Sequence, residues 1–143
     1  MDEIGVFDTN VLISAVLSSR GPPFRCLALA KTRAIQSVTC REILDEFDEK
    51  LFVKFGYAQE QSRAAAHEIE KLSLIVTISH TLKVAADPDD DMVLECAVVG
   101  NATHIVTGDK RHLLPLGTYQ GIRIVSPAQF LQWVASAPSQ SAP

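Results

Sequence analysis

Short apolar runs alternate with longer stretches of helical period along almost the whole chain. Ile4-Gly5-Val6-Phe7 is uninterrupted and stops at Asp8, which predicts a buried strand. Thr9 or Asn10 can cap the helix predicted next, over 11–18. A turn-rich loop, 18–23, carries Gly21, Pro22 and Pro23, and a second helix is predicted over 24–33. A second strand follows over 35–39. Helical period resumes at Arg41, where Ile43, Leu44, Phe47, Leu51 and Phe55 form one stripe of a helix over 41–55 that Gly56 ends. Residues 59–72 read as another helix and the β-branched run 74–78 as a third strand. Residues 82–91 read as a loop. Residues 92–99 are apolar nearly all round, which predicts a buried helix closed by Gly100. Strands over 104–107 and 122–125 follow. Ser126-Pro127 then supplies a cap and a first-turn proline for a helix to 134, with 135–143 a flexible tail.

Strands alternating with helices, with no repeat and no linker, predict one α/β domain over 1–134. Its five-stranded sheet should be mainly parallel and covered on both faces. In such sheets ligands bind at the carboxyl ends of the strands, near the point where strand order reverses.

Charge and cysteine usage narrow the function classes. The 143 residues carry 17 acids and 13 lysines and arginines, a net charge of −4. That excludes a basic protein that coats nucleic acid, though not a local basic strip. Cys26, Cys40 and Cys96 lie far apart with no Cys-x-x-Cys pair, the usage expected of reduced, buried thiols in the cytoplasm. The start Met1-Asp2-Glu3 is the reverse of a secretory signal, and the apolar run Val11–Leu17 is too short to span a bilayer.

The chemistry gathers at strand ends. The first strand runs into Asp8, the fourth runs through Gly108 into Asp109, and Asp91 opens the buried helix between them. In a parallel sheet all three share one edge. Carboxylates crowded in a partly dry pocket repel, and a divalent cation with oxygen ligands, Mg²⁺ or Mn²⁺, removes the conflict. Each acid also has a structural reading: Asp8 as a helix cap, Asp109 as a turn residue, and the run Asp87-Pro88-Asp89-Asp90-Asp91 as a complement to a helix dipole. A fourth ligand should come from the border of the apolar stripe on the 41–55 helix. That leaves Glu46 or Asp48, and helical geometry does not choose between them. The four histidines have no metal-site spacing; His104 reads as a strand-edge residue and His112 as a surface one. Lys110 and Arg111 directly follow Asp109, and Arg25 flanks the loop after the first helix, so these cations are expected to contact phosphates.

The stretches Val6-Phe7-Asp8-Thr9-Asn10-Val11-Leu12-Ile13, Glu42-Ile43-Leu44-Asp45-Glu46-Phe47, Asp87 to Ala97, Ile105-Val106-Thr107-Gly108-Asp109-Lys110 and Gly121 to Leu131 occur in an order and spacing that resemble the PIN-domain family. The resemblance spans nearly the whole chain. It implies a Rossmann-like three-layer α/β/α sandwich and an Mg²⁺- or Mn²⁺-dependent endoribonuclease that hydrolyses RNA with a metal-activated water. It also implies that Asp8, Glu46, Asp91 and Asp109 are the catalytic and metal-binding acids, with Asn10 and Thr107 in support. Asp91 is chosen over Asp89 and Asp90 because the family acid opens the helix 18 positions before the last aspartate. The nearest branch looks like toxins of bacterial type II toxin–antitoxin modules, which implies a small antitoxin partner and a homodimer.

Other phosphoryl-transfer families fit less well. A haloacid-dehalogenase-type phosphatase needs a second aspartate where Asn10 stands. A response-regulator receiver needs a phospho-acceptor aspartate where the third strand leads into Ser79-His80. The alternative from another class is a protein- or RNA-binding regulatory module with weak or no nuclease activity.

Overall fold

The computed structural model describes residues 3–136. In chain order the elements are β1 (Ile4–Phe7), α1 (Thr9–Leu17), α2 (Pro22–Lys31), β2 (Gln36–Cys40), α3 (Arg41–Lys54), α4 (Gln59–Lys71) and β3 (Ser73–Val76). They continue with α5 (Pro88–Val99), β4 (His104–Val106), β5 (Thr118–Tyr119), β6 (Ile122–Val125) and α6 (Pro127–Ser136). The predicted tail 135–143 begins as helix at Ala135 and Ser136, and its remainder lies outside the described residues.

The sheet order is β3-β2-β1-β4-β6-β5. Every pairing is parallel except β5 with β6. The α/β class and the five predicted strands are therefore present, and the sheet has a sixth, antiparallel edge strand. That strand is two residues long and pairs Tyr119 with Ile122 across Gln120 and Gly121, both at positive φ, as a two-residue hairpin turn requires. A two-residue run carries no periodicity, so its pattern is silent. Successive residues of the central strands are buried, Val6, Phe7, Ile105 and Val106 among them. Both sheet faces are therefore covered by helices.

Strand order reverses between β1 and β4, which lie side by side. The next residue after β1 keeps the register, since the Asp8 N–H donates to the Val106 carbonyl at 2.9 Å. Asp8 and the turn carrying Asp109 therefore leave the sheet as neighbours at its carboxyl edge, the topological switch point of the fold.

Helix α5 starts at Pro88, four residues earlier than its apolar pattern implies. The cause is local: Asp87 caps the helix by accepting the Asp89 N–H at 2.9 Å, and Pro88 occupies the first turn, where no N–H is needed. Asp89, Asp90 and Asp91 are thus helical, each turned about 100° from the last.

Gly100 ends α5 with an ordinary negative φ, so its conformation does not demand glycine. Its packing does: a Cβ there would meet Val38 Cγ1 of β2 at 2.5 Å. Gly100→Ala is expected to cost about 1–3 kcal/mol through overpacking. A thermal melt lowered by several degrees would bear this out, and an unchanged midpoint would refute it.

Candidate metal centre

A cleft of about 360 Å³ opens at the carboxyl edge. Six carboxylates line it: Asp8, Glu46, Asp87, Asp89, Asp90 and Asp109. Of the four acids expected from sequence, three are gathered here.

Asp8 stands at the N-cap position of α1, yet its side chain makes no capping bond. Its carboxylate instead accepts a hydrogen bond from the Thr107 hydroxyl, at 2.8 Å on Oδ2. The same hydroxyl oxygen accepts the Asp109 N–H at 3.0 Å. Thr107 is fully buried, so one fixed hydroxyl sets both acids. Asp109 folds the chain back on itself, accepting the backbone N–H groups of Arg111, His112 and Leu113. The turn role of Asp109 is thus met, and the residue also lines the cleft.

The two acids that helical geometry left open on α3 are placed apart. Glu46 enters the cleft and is held by the buried Thr9 hydroxyl of α1. Asp48 faces α4 instead, where it accepts the Ser62 hydroxyl.

Asp91 is the expected acid that does not line the cleft. Its Oδ1 accepts the N–H groups of Val84 (3.0 Å) and Ala85 (2.7 Å), and the residue lines a separate hollow with Glu95. One residue along a helix is about 100° of rotation, and that rotation brings Asp90 into the cleft while Asp91 clasps the preceding loop. Glu95, one turn on from Asp91, completes the clasp. It is buried and accepts hydrogen bonds from the Ser79 N–H and hydroxyl, the His80 N–H and the Leu82 N–H.

The cations expected to contact phosphates lie outside the cleft. Lys110, Arg111 and Arg25 are exposed, and none lines the cleft. Arg111 lines an adjoining hollow of about 320 Å³ with Asp90, His112 and Tyr119. The lysine in the cleft is Lys50, whose Nζ donates to Asn10 Oδ1 at 3.4 Å. Its position, four residues after Glu46 on one helix, was the available signal. His112 also lines the cleft, and nothing in the histidine spacing pointed to it. His104 is buried rather than at an edge, packed between Phe130 and Trp133.

The electrostatics are those of a crowded anionic site. Burial raises the Asp8 carboxyl above its ordinary value, against the Thr107 hydrogen bond. Burial and then the charge of Glu46 raise Asp89. Burial, followed by Asp109, Asp87 and Asp8, pushes Asp90 up to about 6. Asp109 is also pushed up by burial, but its three backbone donors outweigh this and hold it below the usual range. All-oxygen donors in mutual repulsion are the set that a hard divalent cation satisfies, so the residues fit Mg²⁺ or Mn²⁺.

The shift at Asp90 carries a sign. A carboxyl raised on folding destabilises the ionised protein, and stability falls as pH rises from the unfolded value of 3.8 through about 6. Without metal, Asp90→Asn is expected to be more stable than wild type at pH 7 by about 1–2 kcal/mol, allowing for solvent screening at this partly exposed group. The gain should vanish near pH 4. Melts of both proteins across that range test it, and a variant less stable at pH 7 would refute it.

No helix among the described residues is long and apolar enough to cross a membrane. No curated protein sequence matches the chain. Among solved structures, the chain resembles one in the crystal structure of VapBC2 from Rickettsia felis bound to a DNA fragment from their promoter. The TM-score is 0.61 at 15% identity, covering 85% of this chain and 96% of that one. The family model for the PIN domain matches residues 5–111. The chain therefore belongs to the PIN-domain family.

Proposed function

We propose that this PIN domain is a divalent-metal-dependent endoribonuclease that hydrolyses RNA phosphodiester bonds, with Asp8, Glu46, Asp90 and Asp109 as the acids that hold Mg²⁺ or Mn²⁺. The observation that carries this is the convergence of six carboxylates on one cleft at the switch point of the sheet. When bound, the ion supplies water activation and stabilises charge on the phosphate and the leaving oxygen. The protein's own groups do the rest. Thr107 fixes the relative placement of Asp8 and Asp109, and Thr9 fixes Glu46. Asp87, which caps α5, holds the first turn that presents Asp90. Lys50 puts a positive charge at the cleft wall, suited to a phosphate oxygen. The first turns of α1, α2, α5 and α6 all contribute cleft residues, and their N-terminal dipoles favour an anion there. Lys110 and Arg111, on the exposed turn after Asp109, are suited to RNA beyond the cleft.

The toxin reading, with a small antitoxin partner, a homodimer and a cytoplasmic setting, rests on the branch resemblance. The likeness to a chain of the VapBC2 structure supports it. Exposed Leu17 and Phe24, on α1 and α2, offer apolar surface for a partner.

The test is cleavage of a labelled RNA by the purified protein with Mg²⁺, with Mn²⁺ and with a chelator. Cleavage that requires the ion supports the proposal. No cleavage with either ion, together with tight binding of RNA or a partner protein, would establish the regulatory-module reading instead.

A further inference from the structure

We infer that His112 is a nitrogen ligand to the cation held by Asp90 and Asp109, and that the site therefore selects Mn²⁺ over Mg²⁺. The inference rests on the metal-site reading above and adds a ligand and a metal preference to it.

Proximity comes first. One ring nitrogen of His112 and one carboxylate oxygen each from Asp90 and Asp109 lie within 4.8 Å of one another. Opposite ligands on a six-coordinate ion are about 4.2 Å apart, so a small contraction of the three side chains closes a shared site. Among the described residues this is the one group of three His, Cys, Asp or Glu side chains gathered so closely. The approach of His112 is built into the backbone. The Asp109 carboxylate accepts the His112 N–H at 3.2 Å, and the next residue, Leu113, is anchored in the core at 0% exposure. The turn therefore returns the imidazole over Asp109, with Nδ1 3.5 Å from Oδ2.

Donor chemistry gives the preference. Magnesium takes oxygen ligands in near-ideal octahedral geometry and rarely an imidazole. Mn²⁺ is the weakest binder of the first-row divalent ions, yet as a transition ion it takes an imidazole beside carboxylates more readily than Mg²⁺ does. A site of carboxylates alone would favour Mn²⁺ less and would show no directly ligated nitrogen. The bland role for His112 is an ion pair with Asp109 across the same 3.5 Å, which would support either metal equally.

The experiment is metal binding to the full chain with Mn²⁺ alone and Mg²⁺ alone, by calorimetry. It is joined by electron spin-echo spectroscopy of bound Mn²⁺ for the modulation of a directly ligated imidazole nitrogen. The wild type should bind Mn²⁺ more tightly and show the nitrogen signal. His112→Gln, which keeps a polar side chain but no imidazole, should lose the signal and about tenfold or more in Mn²⁺ affinity, while Mg²⁺ affinity moves less than about twofold. No nitrogen signal in the wild type would overturn the inference, and so would an equal loss for both ions. The wild-type spectrum decides the question even if the variant does not fold. Binding abolished by Asp90→Asn and Asp109→Asn, but with no nitrogen signal, removes His112 and leaves the metal site standing. Binding indifferent to both aspartates removes the metal site and the inference with it.

Discussion

Asp90→Asn is expected to lower metal-dependent RNA cleavage by about 10²–10³-fold or more, as are Asp8→Asn and Asp109→Asn, while Asp91→Asn keeps most of the activity. The contrast follows from one helical step. Asp90 lines the cleft, and its carboxyl is pushed up by burial and by the charges of Asp109, Asp87 and Asp8. An asparagine there removes a charged oxygen donor from the group that would face the cation. Asp91 uses its Oδ1 to accept two backbone N–H groups, and an asparagine amide oxygen accepts the same two. Initial rates at saturating Mg²⁺ and Mn²⁺ test this, with melts to establish that each variant is folded. Full activity in Asp8→Asn and Asp109→Asn would sink the metal-site proposal. Loss in Asp91→Asn with retention in Asp90→Asn would reverse the assignment within α5 and leave the proposal otherwise intact.

The acids that were legible in the sequence are those at which an apolar run stops. Ile4–Phe7 cannot continue its burial past Asp8, and His104–Val106 delivers its turn to the same sheet edge, so Asp8 and Asp109 could be paired before any fold was seen. Glu46 was readable only as a border residue. The family resemblance chose it over Asp48; helical geometry could not, because that needs the packing of α4 on the Asp48 side, which is a tertiary fact. The phase of α5 was illegible for a different reason. Its apolar pattern begins at Met92, but the helix begins where Asp87 caps it, and a cap leaves no periodic trace. The family spacing pointed to Asp91, whereas the helix as it forms puts Asp89 and Asp90 on the cleft and leaves Asp91 off it. His112 lay beyond pattern altogether, because its placement depends on three backbone donors converging on Asp109. The net charge of −4 remains a fair guide to what was excluded. The structure gathers six acids and one lysine in a single cleft, so surface charge elsewhere is less anionic than the total implies.

Glu95 was passed over as part of an apolar helix, and it carries the largest expected stability effect. Glu95→Ala should destabilise the fold by about 3 kcal/mol or more, since each donor left without an acceptor costs about 1–3 kcal/mol. A single acid buried in an otherwise apolar turn must be paired, and here its two oxygens satisfy the Ser79, His80 and Leu82 N–H groups and the Ser79 hydroxyl. Alanine would leave those donors without their acceptor and free the loop that leads into α5. Glu95→Gln keeps one acceptor oxygen and should lose less. The pH dependence separates charge from shape. Burial pushes Glu95 up, but the bonds to Leu82, Ser79 and His80 outweigh it, so the folded carboxyl sits below its ordinary value of 4.5. The stability it provides is therefore complete above that value and is lost as pH falls through the lower folded one. Wild type should weaken on acidification below about pH 4.5, whereas Glu95→Gln, with no proton to take up, should show a shallower decline. This window lies below the one in which Asp90 acts, and its sign is opposite, since protonating Asp90 relieves repulsion while protonating Glu95 breaks bonds. Denaturant melts of wild type, Asp90→Asn and Glu95→Gln from pH 7 to pH 3 would separate the two groups. Identical acid slopes in wild type and Glu95→Gln would mean that the buried carboxylate does not hold the loop as an anion.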